Sequence, residues 1–412
     1  MTFDQRLETY ADLIVSVGAN VQAGQRVVLQ APVEGAPLAR LVTKKAYEAG
    51  AAYVDVLWSD DAVTLYEFQH AADETFDEMS AWLKVALNSA AERGDAFIGL
   101  RANDPSLLKD QDPGKVARSS KARRQALLPY MKAVTTSAAN WCLVTLPLES
   151  WAAQVYPDVS PKTAVTQLWD AIFKATRADR EDAAEAWQTH LQNLQKRRDY
   201  LTDKQYRSLH YRAPGTDLQV GLPPGHLWLG GTQNTLSGVT YVANLPTEEV
   251  FTLPHKDKVE GTVKSSMPLS YNGRLIDGFE LTFGGGKVVS ATAERGEETL
   301  HHLLETDAGA RRLGEVALVP HSSPISQTGT LFYNTLYDEN ASCHLALGRA
   351  YAFTLEGGAN LSDDEAAAAG VNHSLEHVDF MIGSGEMDID GVTESGETEA
   401  VMRGGEWAFE AS

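Results

Sequence analysis

Four short segments between Asn244 and Gly383 set carboxylates and imidazoles among apolar residues: NLPTEEVFTLP, LGEVALVP, TLYDENASCHLALG and GVNHSLEHVDFMIG. A charged side chain among apolar neighbours is costly unless it is paired or bound to a cation. If LGEVALVP is a strand, Leu313, Glu315, Ala317 and Val319 share one face, and Glu315 needs such a partner. In HVDFMIG, His377 and Asp379 are two apart, so a strand points both to one side. TLYDENASCHLALG adds Glu339 and His344, five apart, which requires a bend over Asn340 to Cys343. Asp338 is left to orient a ligand or cap a turn, and Cys343, next to His344, faces elsewhere. TEEVF offers one more carboxylate, Glu248 or Glu249.

These donors are oxygen or imidazole, with no thiolate. Six of them exceed what one tetrahedral zinc takes. They suit two divalent ions bridged by a carboxylate, about 3.5–4 Å apart. Zinc, cobalt and manganese all match the donor types. The same ligands would serve a peptidase, another dinuclear hydrolase (a phosphatase or amidohydrolase), or a metal-stabilised scaffold without catalysis.

Other signals are weaker. No G-x-G-x-x-G follows the first strand, and the chain contains no G-x-x-x-x-G-K-[ST], H-E-x-x-H or G-x-S-x-G. GGGK at Gly284 to Lys287 and YNGR at Tyr271 to Arg274 read as hairpin loops. His301, His302 and Glu305 fit a solvated helix face, and EMDIDG, lacking the other calcium-loop ligands, fits a plain turn.

The elements that must position the donors follow from periodicity. Up to about residue 150, short apolar runs such as QRVVLQAP and AAYVDVLWSD alternate with helical patterns such as APLARLVTKKAYEAGA, where Leu38, Leu41, Val42 and Ala46 share a face. This rhythm predicts an α/β N-terminal domain with a mainly parallel sheet. Two helices follow, one marked by Leu168, Ile172 and Phe173, the other by Trp187, Leu191 and Leu194. From His210 onward, glycine-rich turns and short strands predict an α+β C-terminal catalytic domain built on antiparallel sheet. The expected division is 1–203, with exit helices, and 204–412, with the metal site.

A chain of 412 residues is long enough for two cores. Its formal charge of −21, from 35 basic and 56 acidic residues, disfavours nucleic acid and anionic membranes as partners. Cys142 and Cys343 make no disulfide framework and fit a reducing compartment. MTFDQRLETYADLIV lacks the basic and apolar regions of a signal peptide, and no apolar run nears the roughly 20 residues of a membrane helix. A cytoplasmic protein is expected.

The four donor segments, in this order, resemble the signatures of the thermophilic-aminopeptidase family of metallopeptidases, of the aminopeptidase T and S type. YADLIVSVGANVQAGQRVVLQAPVEGAPLARLV and YEAGAAYVDVLWSD are similar to that family too, so the resemblance covers the whole chain. It implies an exopeptidase that removes N-terminal residues from peptides with two divalent metals, as a homodimer. It implies Glu249 rather than Glu248 as a ligand, Glu315 as the bridge, and Glu339, His344, His377 and Asp379 as the remaining ligands. Tyr351, closing LALGRAY, would be the phenol that assists catalysis.

Overall fold

A computed structural model describes the chain except Asn103, Pro105, Ser106, Asn272, Gly273 and residues 410–412. Two compact units form, one from residues 1–189 and 232–246, the other from 190–231 and 247–412. In the first, Tyr53–Ser59, Arg26–Pro32, Ala96–Arg101 and Trp141–Thr145 lie side by side in that order as a parallel sheet. The sequence pattern follows from that setting. Arg26–Pro32 and Ala96–Arg101 are central and buried along nearly their whole length, whereas Tyr53–Ser59, at the edge, leaves Tyr53 and Trp58 exposed. Helix Ala36–Glu48 starts with proline in its first turn, where no N–H is needed, and buries Leu38, Ala39, Val42 and Ala46. Among the described residues no helix is long and apolar enough to cross a membrane.

Among the described residues, the second unit holds two main antiparallel sheets and a two-stranded ribbon, Leu269–Tyr271 with Arg274–Ile276. The larger runs in the order Lys287–Thr292, Glu280–Gly284, Val259–Lys264, Thr216–Gly221, Ser208–Ala213, Asp388–Val392, Thr398–Arg403, Glu406–Trp407. The GGGK hairpin belongs to it, with Gly285 and Gly286 at φ +57° and +78° between paired Gly284 and Lys287. The strands beside YNGR pair through Tyr271 and Arg274, while Asn272 and Gly273 lie outside the described residues. Helix Glu297–Leu304 leaves His302 and Glu305 exposed, a solvated face. EMDIDG does more than turn: it runs into Asp388–Val392, where buried Asp390 accepts hydrogen bonds from Arg212 and Arg403.

The smaller sheet has the order His377–Met381, His344–Gly348, Leu313–Leu318, Val250–Thr252. One face is apolar. Val316, Leu318, Leu345, Leu347 and Phe380 join a core with Leu218, Val263 and Phe283 of the larger sheet. At one point the simple alternation fails. Leu313 pairs with Leu347 but Glu315 pairs with Ala346, so Gly314 is a bulge. The extra residue reverses the parity of the strand. Leu313 stays with Leu347 in the core, and Glu315 turns to the opposite face, so the two do not share a face as alternation predicts. Glycine is required there: a Cβ on Gly314 would lie 2.2 Å from the Arg349 carbonyl oxygen and 2.5 Å from that of Gly348.

Candidate metal centre

Directly opposed residues of an antiparallel pair project to the same side. Glu315 lies opposite Ala346, which lies opposite Asp379; Ala317 lies opposite His344; Gly348 lies opposite His377. Glu315, His344, His377 and Asp379 therefore gather on the face turned away from the core. The small side chains of Ala317 and Ala346, and Gly348 with none, leave room between them. Glu249, two residues before the Phe251 that pairs with Ala317, reaches the same face.

Two triads result, Glu249 with Glu315 and His344, and Glu315 with His377 and Asp379. Within each, one ligand atom from every residue lies within 4.8 Å of the others. Glu315 is common to both. Its Oε1 is 3.6 Å from His344 Nε2 and its Oε2 is 3.8 Å from His377 Nε2. Asp379 Oδ1 lies 3.5 Å from His377 Nε2, and Glu249 Oε2 lies 3.1 Å from His344 Nε2. Backbone carbonyls orient the rings. His344 Nδ1 donates to Ser342 O at 3.0 Å and His377 Nδ1 to Arg349 O at 2.7 Å, so both rings turn Nε2 inward.

Glu339 starts the 3-10 turn Glu339–Ala341, which provides the bend before strand His344–Gly348. It is outside the two tight triads. Its carboxyl is nonetheless pushed well above the usual range by burial and by the Glu249 and Asp379 carboxylates. Burial, with the Asp379 and Glu249 carboxylates, likewise pushes Glu315 up to about 7. For His344, burial opposes a charge, but Glu249 and Glu315 outweigh it and hold the imidazole well above its ordinary pKa.

The donors fit a divalent cation. Glu249 Oε2, His344 Nε2 and Asp379 Oδ1 are buried without a hydrogen bond of good geometry, although the first two are close. Orphaned buried groups are rare, and these three point inward from oxygen- and nitrogen-donor residues suited to zinc, cobalt or manganese.

The neighbours divide by role. Glu248, 3% exposed, turns to His190, whose Nε2 is 3.6 Å from its Oε2, and leaves the inward position to Glu249. Asp338 clasps a turn, accepting the N–H groups of Phe332 at 2.7 Å and Asn334 at 3.0 Å. Cys343 faces the core, donating to Val319 O at 3.2 Å. Tyr351 lies with its ring centroid 4.7 Å from that of His377 and stacks on Phe353 at 5.3 Å. Burial and the Glu315 and Asp379 carboxylates push its phenol up to about 12, so it carries its proton at neutral pH. Asn340, expected only as part of the bend, is buried and bonded both to the Glu248 N–H beside Glu249 and to Glu339.

Comparison with known proteins extends the picture to the whole chain. The sequence model of the thermophilic metalloprotease (M29) family matches residues 3–407. Aminopeptidase 2 of Geobacillus stearothermophilus is 50% identical over 408 residues, covering 99% of each chain. Aminopeptidase T of Thermus aquaticus is 44% identical over 407 residues, again 99% of each. Among solved structures, wild-type AmpT from Thermus thermophilus superposes with a TM-score of 0.92 at 42% identity, covering 99% of this chain and 100% of that one.

Proposed function

The chain belongs to the thermophilic metalloprotease (M29) family, and from that premise we propose that it is a metal-dependent aminopeptidase with two divalent cations, zinc, cobalt or manganese. The ligands are Glu249, Glu315, Glu339, His344, His377 and Asp379, with Glu315 as the bridge. The observation that carries this reading is the position of Glu315 in both triads, one oxygen toward each histidine. Charge balance supports it: the four carboxylates of the set match two divalent cations when both imidazoles are neutral.

Such a pair of ions, when bound, lowers the pKa of a shared water and polarises a carbonyl. The protein supplies the rest. Tyr351 donates a hydrogen bond to the carbonyl oxygen as charge develops there. The carboxylate-rich face receives the free α-amino group of the peptide, which an internal peptide bond lacks, and this selects exopeptidase cleavage. One of the site carboxyls returns a proton to the leaving amine. Catalysis is assigned to the unit of residues 190–231 and 247–412, which carries all six ligands and starts earlier than the expected 204. Cytoplasmic location is supported by two buried, unpaired cysteines, and the homodimer by the family resemblance alone.

The test is metal analysis of the purified protein together with a panel of amino-acid anilides and nitrophenyl phosphate. Two ions per chain and anilide hydrolysis are expected. Hydrolysis of the phosphate with no anilide turnover would replace the peptidase reading by a phosphatase.

A further inference from the structure

We propose that Asn340 is a positioning residue that sets two of the ligands, Glu249 and Glu339, in register with each other. The inference rests on the ligand set proposed above. Glu315, His344, His377 and Asp379 lie on strands whose ladder pairing fixes their spacing. Glu249 and Glu339 do not. One precedes strand Val250–Thr252 and the other opens a 3-10 turn, so each needs another anchor.

Asn340, 1% exposed, provides it. Its Oδ1 accepts the N–H of Glu248, the residue before Glu249, at 2.7 Å. Its Nδ2 donates to Leu336 O at 2.9 Å and lies 3.4 Å from Glu339 Oε1. A backbone N–H can only donate and a backbone carbonyl can only accept, so these two partners fix which way the amide faces. Its own carbonyl accepts from Ser323 Oγ at 3.2 Å, which steadies the turn. One buried amide thus joins the backbone beside one ligand to the carboxylate of another, although Asn340 and Glu248 lie 92 residues apart in sequence.

The experiment is calorimetric titration of the metal-free full chain with Co²⁺, with visible spectra of the cobalt-loaded protein. Two variants are compared. Asn340→Ala removes every side-chain contact. Asn340→Asp keeps the acceptor for Glu248 N–H but turns the contacts with Leu336 O and Glu339 into repulsion. Asn340→Asp is expected to weaken one of two cobalt sites about 10–100-fold and to shift the cobalt absorption, while the other site keeps near-parental affinity whatever the fall in the Tm of the metal-free protein. Asn340→Ala should weaken that site at least as much. Parental affinity at both sites with a parental spectrum overturns the proposal. So does an equal loss at both sites that tracks a fall in Tm, the mark of general destabilisation. If Asn340→Ala does not fold, Asn340→Asp carries the test alone. A parent chain that binds no cobalt would instead sink the metal reading underneath, and this inference with it.

Discussion

Glu315 offers two equivalent oxygens to two imidazoles on opposite sides. An amide has only one acceptor oxygen, and its nitrogen donates. Glu315→Gln is therefore expected to hold one ion or none and to lose anilide turnover. Metal analysis that finds two ions with full turnover would remove Glu315 from the site. Tyr351 can be tested without touching a ligand. Tyr351→Phe keeps the ring against His377 and Phe353 but loses the hydroxyl, so kcat should fall about 10²–10³-fold while metal content stays parental. Part of this chemistry was legible in the sequence. An H-x-D pair two apart in an apolar run declares its own geometry, because strand alternation alone brings His377 and Asp379 together. Asn340 could not be read in this way. Its partners are backbone groups and a neighbouring carboxylate, and backbone groups leave no trace in residue identity.

For the strands, parity matters more than composition. The parallel and antiparallel sheets were both legible, because periodicity and glycine turns belong to local sequence. The bulge was not, because it exists only in the pairing of Leu313–Leu318 with its neighbour. Gly314→Ala forces a Cβ onto two carbonyl oxygens, at a cost of about 1–3 kcal/mol for a tolerated overpacking. A lower Tm and reduced metal content are expected together, since relieving the clash displaces Glu315; an unchanged Tm would contradict the contact. A second device joins strands of the larger sheet. Asp390, on Asp388–Val392, is held by Arg212 of Ser208–Ala213 and Arg403 of Thr398–Arg403. Burial alone would raise its pKa, but the two guanidinium groups bring it below the ordinary value. A depressed carboxylate stabilises the fold above its unfolded pKa of about 3.9, and that contribution disappears as pH falls through the folded value. Asp390→Asn should cost about 1–3 kcal/mol at pH 7 in urea unfolding. The gap from the parent should narrow below about pH 4, and a gap independent of pH would rule out the charged pairing as its source.

In the molecule as a whole, the small sheet is packed through the face turned away from the candidate metal site. Val316, Leu345, Leu347 and Phe380 are packed in the core on that opposite face. Chelation should therefore abolish activity and lower Tm, as loss of a ligand specific to the native state does, yet leave a cooperative unfolding transition, and added metal should restore turnover. Unfolding on chelation would mark the site as a scaffold instead. The two-unit division has a further consequence, for synthesis. Residues 232–246 belong to the first unit although residues 190–231 of the second come before them. A ribosome that has passed residue 189 has not finished the first unit. By the time residue 246 emerges, strands Ser208–Ala213 and Thr216–Gly221 have already been made; the second awaits Val259–Lys264, and the first awaits Asp388–Val392, more than a hundred residues downstream. Domains that fold one after another during translation are the usual case. Here the second unit is begun before the first is finished, and no single cut in the gene separates the two.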